Sequence, residues 1–541
     1  AAPAQALRSP DGRLRGGLRL SFAPRLSDGL PGVRDWFAAY PYGCLEQKTS
    51  KTLGLRDLAG WKALGAQMPS YLDADGLARY FPPREGEGAT GSDILSAYLL
   101  AASHEAAALN PAFALPAEVR DALLGGLSAF VEGRLERKLW GSEQWRVARK
   151  LAALEALSRY GRATPRQFDS LGFSPDAWSA GMLIDAIAVL QRTPGITQRE
   201  ARLAQARQVL QARLNWQGTR LALAGEADDP MGWLMRDGDA QSARLLLLAL
   251  DDAGWKDELG RLALGLIARQ QRGAWATTTA NLWGSLALEK FSTRNEATPV
   301  RGSTRASLGS ASATVDWDRL AAQATARGAS APAAPAQPQV SPFGAPAAAA
   351  GLPAPLLLPW SSAGDAGTGT LVLTQQGSGK PWVTVQSVAA IARSAPFNAG
   401  YTIKRSVTPT EQAQPGTLSR GDVLRVRVEI EASADMAWVA LTDPVPAGAT
   451  VLGSGLGRDS EIATRGEQRE GWAWPAFEER GFESLRVYYE HLPRGRTVYE
   501  YTLRLNTVGD FALPPTRVEA LYAPEMRGVL PNARVVVKPA P

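Results

Sequence analysis

YPYGCLEQ, residues 40–47, holds the only cysteine of this chain, with a glutamine three positions after it. Residues three apart share one face of a helical turn. The Cys44 sulfur therefore reaches the Gln47 carboxamide. Attack of the thiolate on that carbonyl with loss of ammonia gives an internal thioester. Such a bond is a stored acyl donor, because a thiol with a reference pKa near ~8.5 leaves far more readily than an amide nitrogen. An incoming amine takes the Gln47 acyl group and frees Cys44. The bond lasts only where water and small amines are kept away, and Trp36, Phe37, Tyr40 and Tyr42 stand just before it as a dry cover. Pro41 and Gly43 supply a sharp turn. Spacing alone does not decide the matter. On spacing, a buried, inert cysteine beside a surface glutamine is the better reading.

Working outward, the chain has 541 residues and 45% hydrophobic content, enough for three or four domains with sizeable cores. No apolar run approaches the ~20 residues of a membrane-spanning helix. There is no initiator Met and no signal-like stretch, and Ala1-Ala2-Pro3 reads as a cut inside a longer protein. Net charge is +6, but the excess is Arg scattered along the chain, without a basic block interleaved with aromatics. Nucleic acid is therefore not the expected partner. One cysteine excludes a disulfide framework. His104 and His491 are the only histidines, so no Cys/His metal cluster is expected, and no cofactor.

Three patterns follow one another. In residues 1–29, Leu18, Leu20 and Phe22 alternate with Arg19 and Ser21, which reads as a strand. From about Gly32 to Phe291 the period is helical. Val147, Leu151, Leu154 and Leu157 share one face, and Gly161 is a stop signal. Ser174-Pro175 is expected to open a helix bearing Leu183, Ile187 and Leu190, closed by Pro194-Gly195. Ser92 caps one with Ile94, Leu95, Tyr98 and Leu99. Others carry Leu246 to Leu250 (ended by Gly254), Leu259, Leu262 and Leu266, and finally Leu282, Leu286 and Phe291. With no strand pattern between them, these stretches are expected to pack as helical hairpins in a ring or solenoid.

After Thr298 the signals are β. Ser310 to Trp317 and Leu371 to Val388 read as strands. Between them, ASAPAAPAQPQVSPFGAPAAAAGLPAP (329–355) is an Ala/Pro-rich insertion that cannot form a packed core. From about Pro396 the pattern is a β-sandwich: Leu424, Val426, Val428 and Ile430 alternate with Arg425, Arg427 and Glu429. DPVPAGA (443–449) reads as a turn, and Val498 to Leu505 as another alternating strand.

The full eight-residue stretch YPYGCLEQ closely resembles the thioester motif of bacterial alpha-2-macroglobulins. The related motif of vertebrate alpha-2-macroglobulin and complement components has Gly where this chain has Leu45. The resemblance continues in GAWATTTANLWGSLALEKF (273–291), similar to the final helical hairpin of a thioester domain. It extends to GDFALPPTRVEALYAPEMRG (509–528), similar to the last macroglobulin-like domain. It covers nearly the whole chain in the family's order. The resemblance implies an α/α-toroid thioester domain (30–298) inserted in a CUB β-domain. The CUB parts would be 1–29 and 299–395, the return carrying the 329–355 insertion. A macroglobulin-like β-sandwich (396–541) follows. It implies a protease inhibitor, not an enzyme: a protease cuts a bait region, the protein changes shape, and the thioester of Cys44 and Gln47 couples to the protease through a lysine amine. Tyr40 matches an aromatic that shields the bond in bacterial members, with Tyr42 and Trp36 beside it. Upstream macroglobulin-like and bait-region domains, a periplasmic or envelope location and membrane anchoring through a missing N-terminal segment are implied likewise. On that basis this chain alone does not trap a protease.

His104 could match the histidine that assists acyl transfer in some complement proteins, but that histidine lies much further along the chain from the thioester, so a partly exposed helix residue is the better reading. Without such a histidine the thioester is expected to favour amines over hydroxyls. His491 reads as structural or exposed. Glu46 can act as a base, but a solvated or capping position is favoured. Asp228-Asp229 and Asp251-Asp252 raise a glycosidase-like α/α barrel, against solvated turn residues. Trp472 and Trp474 fit a partner site or strand packing. Alternatives to the inhibitor are thus an α/α-toroid glycosidase, a cysteine acyltransferase or peptidase using Cys44 and His104, and a structural module in which no thioester forms.

Overall fold

The computed structural model describes residues 16–28, 30–83, 90–137, 143–217, 220–224, 235–296, 298–308, 311–328, 356–359, 370–389, 395–453, 462, 464–523 and 525–541. Its contacts divide into two units, Ala1–Met231 with Gly238–Ala392, and Gly232–Asp237 with Arg393–Pro541.

The first unit opens with strand β1 (Gly16–Ala23). Helices α1 (Pro31–Ala39), α2 (Leu45–Gly54), α3 (Leu58–Gln67), α4 (Asp93–Leu109), α5 (Ala117–Val131), α6 (Glu143–Arg159), α7 (Pro165–Asp169), α8 (Ala180–Arg192) and α9 (Arg199–Ala212) follow. After strands β2 (Leu214–Gln217) and β3 (Arg220–Leu223) come α10 (Gly238–Leu250), α11 (Leu259–Ala268) and α12 (Thr278–Asn295). Several of their starts are set by side-chain caps that occupy otherwise orphaned amides. Ser92 accepts from Leu95 N–H, Thr164 and Gln167 form a reciprocal box, and Thr277 accepts from Ala280. Gly161, at φ +65°, supplies the left-handed stop after α6.

Six of these helices pack in succession: α2 on α4, α4 on α6, α6 on α8, α8 on α10, α10 on α12, and α12 back on α2. The contacts close a ring. Helices α3, α5, α7, α9 and α11 pack on its members. The ring helices bury Leu95, Leu99, Leu151, Leu154, Leu183, Ile187, Leu246, Leu282 and Leu286. Buried ion pairs stitch neighbours together. Asp93 of α4 holds Arg149 of α6 at 2.6 Å, Glu155 of α6 holds Arg192 of α8 at 2.8 Å, and Asp185 of α8 holds Arg244 of α10 at 2.5 Å.

The chain then returns to β structure: β4 (Ser303–Leu308), β5 (Ala311–Asp316), helix α13 (Trp317–Gly328), β6 (Leu356–Pro359), β7 (Leu371–Gln376) and β8 (Trp382–Ala389). Strand β1 lies between β6 and β8, antiparallel to both, with Leu18 opposite Leu358 and Ser387. A second sheet runs β5-β4-β7. Leu20, Phe22, Val300, Ala306, Val315, Trp317 and Leu358 form one core. The first strand thus pairs with strands that follow all twelve helices, so the helical region lies within a β framework. The Glu296 carboxylate, just past α12, joins the two by accepting from the Leu26 amide at 2.9 Å and the Trp382 indole at 2.7 Å.

Several expectations are corrected here. The helical region contains the β2/β3 hairpin, whose Leu221 and Leu223 are buried while Trp216 is 57% exposed. Ser174-Pro175 opens only the short 3-10 turn Pro175–Ala177; α8 starts later, where Ser179 accepts from Met182 N–H. A proline after a serine fits the first turn of either helix type, so the dipeptide does not fix length. Trp317 is not a strand residue but starts α13. Leu371 to Val388 is two strands, split at Gly377 and Gly379, both at positive φ. The 329–355 insertion, Ser310 and Asp228-Asp229 lie outside the described residues.

The second unit holds β9 (Phe397–Ala399), β10 (Tyr401–Glu411), β11 (Val423–Ala432), β12 (Met436–Pro444), β13 (Thr450–Val451), β14 (Arg469–Glu470), β15 (Pro475–Arg480), β16 (Ser484–Leu492), β17 (Gly495–Arg504), β18 (Gly509–Phe511), β19 (Thr516–Ala520), β20 (Arg527–Leu530) and β21 (Val535–Val537). One sheet runs β15-β16-β12-β19-β20-β9. The other runs β10-β11-β17-β13, with β14 also on β17. Val426, Val428, Ile430, Tyr499 and Tyr501 of one sheet share a core with Val439, Leu441, Val487 and Val518 of the other, which makes the expected sandwich. The 443–449 stretch is more than a turn. Asp443, the penultimate residue of β12, is fully buried, accepting from Arg405 at 2.9 Å, from Tyr501 at 2.6 Å and from Thr516.

Candidate functional site around Cys44 and Gln47

Cys44 is the N-cap of α2, in extended conformation, and Gln47 is the third residue of the helix. Both are 2% exposed. The Cys44 amide donates to Gln47 Oε1 at 2.9 Å, so the glutamine side chain folds back over the cysteine. An amide can only donate, so the carboxamide oxygen faces Cys44 and the nitrogen faces away. That nitrogen donates to the Tyr40 hydroxyl at 3.3 Å. The bland reading, a buried cysteine beside a surface glutamine, therefore fails on the glutamine.

Tyr40 follows the last turn of α1, and its ring stacks on Trp36 with centroids 4.6 Å apart. Tyr42 meets Tyr40 edge-on at 5.4 Å, and Trp36 meets the buried Phe37 edge-on at 5.5 Å. The four aromatics of the motif and the turn before it thus form one cluster beside the pair. Pro41 to Gly43 belongs to no helix, strand or assigned turn, and the chain bends at Cys44, with Gly43 not at positive φ. What places the cysteine is the cap itself, together with the Leu45 amide, which donates to the Tyr80 carbonyl at 2.8 Å.

Burial pushes the Cys44 thiol well above its ordinary range, and the negative charge of Glu46 adds to the effect. At neutral pH the free sulfur holds its proton. Lys48, next after Gln47, opposes this weakly, but its ammonium is directed to the Tyr71 hydroxyl at 3.1 Å.

Glu46 overturns its expectation. It is fully buried, neither solvated nor a cap. Its carboxylate accepts from Ser50 at 2.5 Å in the next turn of α2, and from Thr278 of α12 at 2.8 and 3.0 Å. Ser50 in turn meets the Tyr98 hydroxyl of α4 at 2.5 Å. The network ties α2 to both of its ring neighbours. Thr278, Ser50 and Tyr98 were not singled out as polar partners from the sequence. The only signal was the Thr277-Thr278-Thr279 run at a helix start, of which Thr277 is the cap.

The remaining candidates fall elsewhere. His104 lies on α4, half-buried and edge-on to Tyr160 at 5.2 Å. Burial, helped by the Arg159 charge, lowers its pKa, so it is neutral at pH 7. The charges acting on it are Arg159, Glu105, Arg192 and Glu155, whereas those acting on Cys44 are Glu46 and Lys48. Asp251 is solvated and pairs with Lys290 and Arg294, but Asp252 is buried, accepting from Gly254 N–H, Gln191 and Arg207. His491 is half-buried, its pKa lowered to about 4 by burial. Trp472 and Trp474 are 91% and 75% exposed, so strand packing does not explain them. Among the described residues no group of three or more His, Cys, Asp or Glu can hold a metal ion, and no helix is long and apolar enough to cross a membrane.

A family model described as the bacterial alpha-2-macroglobulin MG10 domain matches residues 400–525. An alpha-2-macroglobulin of Xylella fastidiosa is 32% identical over 167 residues, 28% of this chain and 10% of its own length. Residues 400–525 thus carry the MG10 domain of bacterial alpha-2-macroglobulins, and the comparisons support a C-terminal portion of that family. The solved alpha-2-macroglobulin of Escherichia coli spanning domain MG7 to the C-terminus has the same fold. It superposes with a TM-score of 0.67 at 18% identity, over 99% of this chain and 81% of that one. A different match, circularly permutated Ras protein 2 of Dictyostelium discoideum, is 25% identical over 179 residues and involves 4% of that protein. The aligned stretches therefore span a tenth or less of the length of these two relatives. The helical region and the β-sandwich of this chain thus match the fold of the C-terminal part of the Escherichia coli alpha-2-macroglobulin.

Proposed function

We propose that this chain is the thioester-bearing C-terminal part of a broad-spectrum protease inhibitor, with Cys44 and Gln47 as the thioester pair. The observation that carries the reading is the buried, pre-set carboxamide. Gln47 points its oxygen at the Cys44 amide, and its nitrogen at Tyr40, under the Trp36, Tyr40 and Tyr42 cluster. A site that only stored an inert cysteine has no need to bury and orient a glutamine, since burying a polar amide costs free energy unless its hydrogen bonds are met.

On this reading residues 30–298 are an α/α-toroid thioester domain, set within a CUB β-domain of residues 1–29 and 299–395. Residues 396–541 are a macroglobulin-like sandwich. The thioester is spent once, so the protein is an endopeptidase inhibitor and not an enzyme. Its partners are target proteases, coupled through lysine amines after the shape change that traps them. Upstream macroglobulin-like and bait-region domains of the parent chain deliver that change in the periplasm or cell envelope, as a bacterial defence.

The site's electrostatics suit storage. In the buried state the leaving sulfur is disfavoured as a thiolate, which slows acyl transfer. Exposure to water removes that penalty and makes the same sulfur a good leaving group. The decisive test is intact mass of natively purified protein. We expect the mass to fall short of the calculated value by one ammonia, and Cys44→Ala to restore the full value. A full mass with a freely titrating thiol in fresh native protein removes this reading.

A further inference from the structure

We infer that the Tyr40 hydroxyl is the acid that closes the thioester, delivering a proton to the Gln47 nitrogen as it leaves. This rests on the thioester reading above and adds to the cover that the Tyr40 ring provides.

Ring closure has a difficulty that shielding does not address. Sulfur adds to the Gln47 carbonyl carbon to give a tetrahedral intermediate with two possible leaving groups. A thiolate leaves far more easily than an amide anion, so the intermediate reverts unless the nitrogen is protonated first. The site is dry, so bulk water is a poor source of that proton. The Tyr40 hydroxyl is within reach: Gln47 Nε2 lies 3.3 Å from its oxygen. The orientation is not arbitrary, because the Cys44 amide holds Oε1 at 2.9 Å and so fixes which side of the carboxamide the nitrogen occupies. The same amide can donate to the oxyanion of the intermediate.

In the resting state the Gln47 amide donates and the tyrosine oxygen accepts. When sulfur adds, the nitrogen loses its amide conjugation and becomes a basic amine with a lone pair. The hydrogen bond then reverses, and the Tyr40 O–H donates. A phenol, with a reference pKa of about 10, is suited to protonating an amine. The atoms balance. The Cys44 S–H bond and the Gln47 C–N bond break, the S–C bond forms, and ammonia departs with its two original hydrogens and one from Tyr40. Tyr40 recovers its proton from the Cys44 thiol.

Trp36 holds the ring in place. The stack at 4.6 Å and the edge contact with Tyr42 leave the hydroxyl aimed at the carboxamide. Tyr40→Phe therefore separates the two roles of the residue, keeping the stacked ring and removing only the oxygen.

The experiment follows closure directly. Ammonia opens the thioester and returns Gln47 to a carboxamide, the state of the nascent chain. After ammonia is removed, intact mass and thiol titration follow re-closure in wild type, Tyr40→Phe and Tyr40→fluorotyrosine. We expect wild type and the fluorotyrosine protein to close. Tyr40→Phe should close about a hundredfold or more slowly, the usual range for loss of a general acid. Once formed, its thioester should resist methylamine as the wild type does. Circular dichroism and melting establish that each variant is folded, and the fluorotyrosine protein carries the test should the phenylalanine variant not be. Closure of Tyr40→Phe at the wild-type rate, or failure of the fluorotyrosine protein to close, overturns the inference and leaves the thioester reading intact. A wild type that never lacks ammonia overturns both.

Discussion

The Thr278 hydroxyl reaches both carboxylate oxygens of Glu46, 232 residues away in sequence, at 2.8 and 3.0 Å. This contact fixes the first turn of α2, and with it the Cys44–Gln47 pair, against the start of α12. A hydrogen bond to a charged group inside a protein contributes more than a neutral one, and removing one partner leaves the charge under-satisfied.

Thr278→Val keeps the side-chain shape and removes the donor. We expect a loss of stability of about 1–3 kcal/mol, read from denaturant unfolding. We also expect faster appearance of the Cys44 thiol during storage. A variant as stable as wild type, with unchanged thiol release, shows that Glu46 does not position the helix.

Tyr40→Gly tests cover rather than closure. It removes the ring that stacks on Trp36 and opens the face of Gln47 to solvent. The prediction is faster thiol release in methylamine and in buffer alone, measured on protein whose thioester content is first established by mass. Equal release rates in mutant and wild type count against a shielding role.

Much of this arrangement was legible in the chain. The i, i+3 spacing put Cys44 and Gln47 on one turn, and apolar spacing located α4, α6, α8, α10, α11 and α12. Alternation located β11 and β17. What was missed depends on partners distant in sequence. Glu46 reads as a solvated charge because its donor Thr278 belongs to the last ring helix. Asp443 reads as a turn residue because Arg405, Tyr501 and Thr516 come from three other strands. Other errors were local. Ser174-Pro175 and Ser179-Ala180 both look like helix starts, and only tertiary packing selects the second. In Trp317 a strand-forming aromatic opens a helix, its indole donating to Thr304 at 2.7 Å.

The charged seam of the helical ring gives a pH prediction. Burial alone would raise the Glu105 pKa, but Arg159 and Lys290 overcome it and hold the group at about 2. Its folded pKa lies below its unfolded value, so the stabilisation is present above the ordinary glutamate range and is lost as pH falls from there through about 2. The amount is on the order of 3 kcal/mol at neutral pH. Melting temperature should therefore fall steeply between about pH 4.5 and 2. Glu105→Gln should flatten that part of the profile while lowering stability at pH 7. An unchanged acid profile in the variant contradicts the assignment.

A lysine amine has a reference pKa near ~10.4, so direct coupling draws on the minor neutral form at neutral pH. Its intrinsic nucleophilicity must offset that scarcity against water at far higher concentration. A histidine beside the bond can shift the balance towards hydroxyls by general-base help. Here His104 sits on α4 with Tyr160 and the Glu105, Glu155 and Arg159 charges, and burial keeps it neutral. The charges that act on Cys44 are those of Glu46 and Lys48. Gln47 should therefore end in an amide with lysine or a small amine, with a yield that rises over the mildly alkaline range. His104→Ala should leave coupling nearly unchanged. Peptide mapping after exposure to a lysine-rich protein, beside a glycerol control, reads both outcomes. Dominant ester products, or coupling lost in a folded His104→Ala protein, would show that a hydroxyl-directed, histidine-assisted chemistry operates instead.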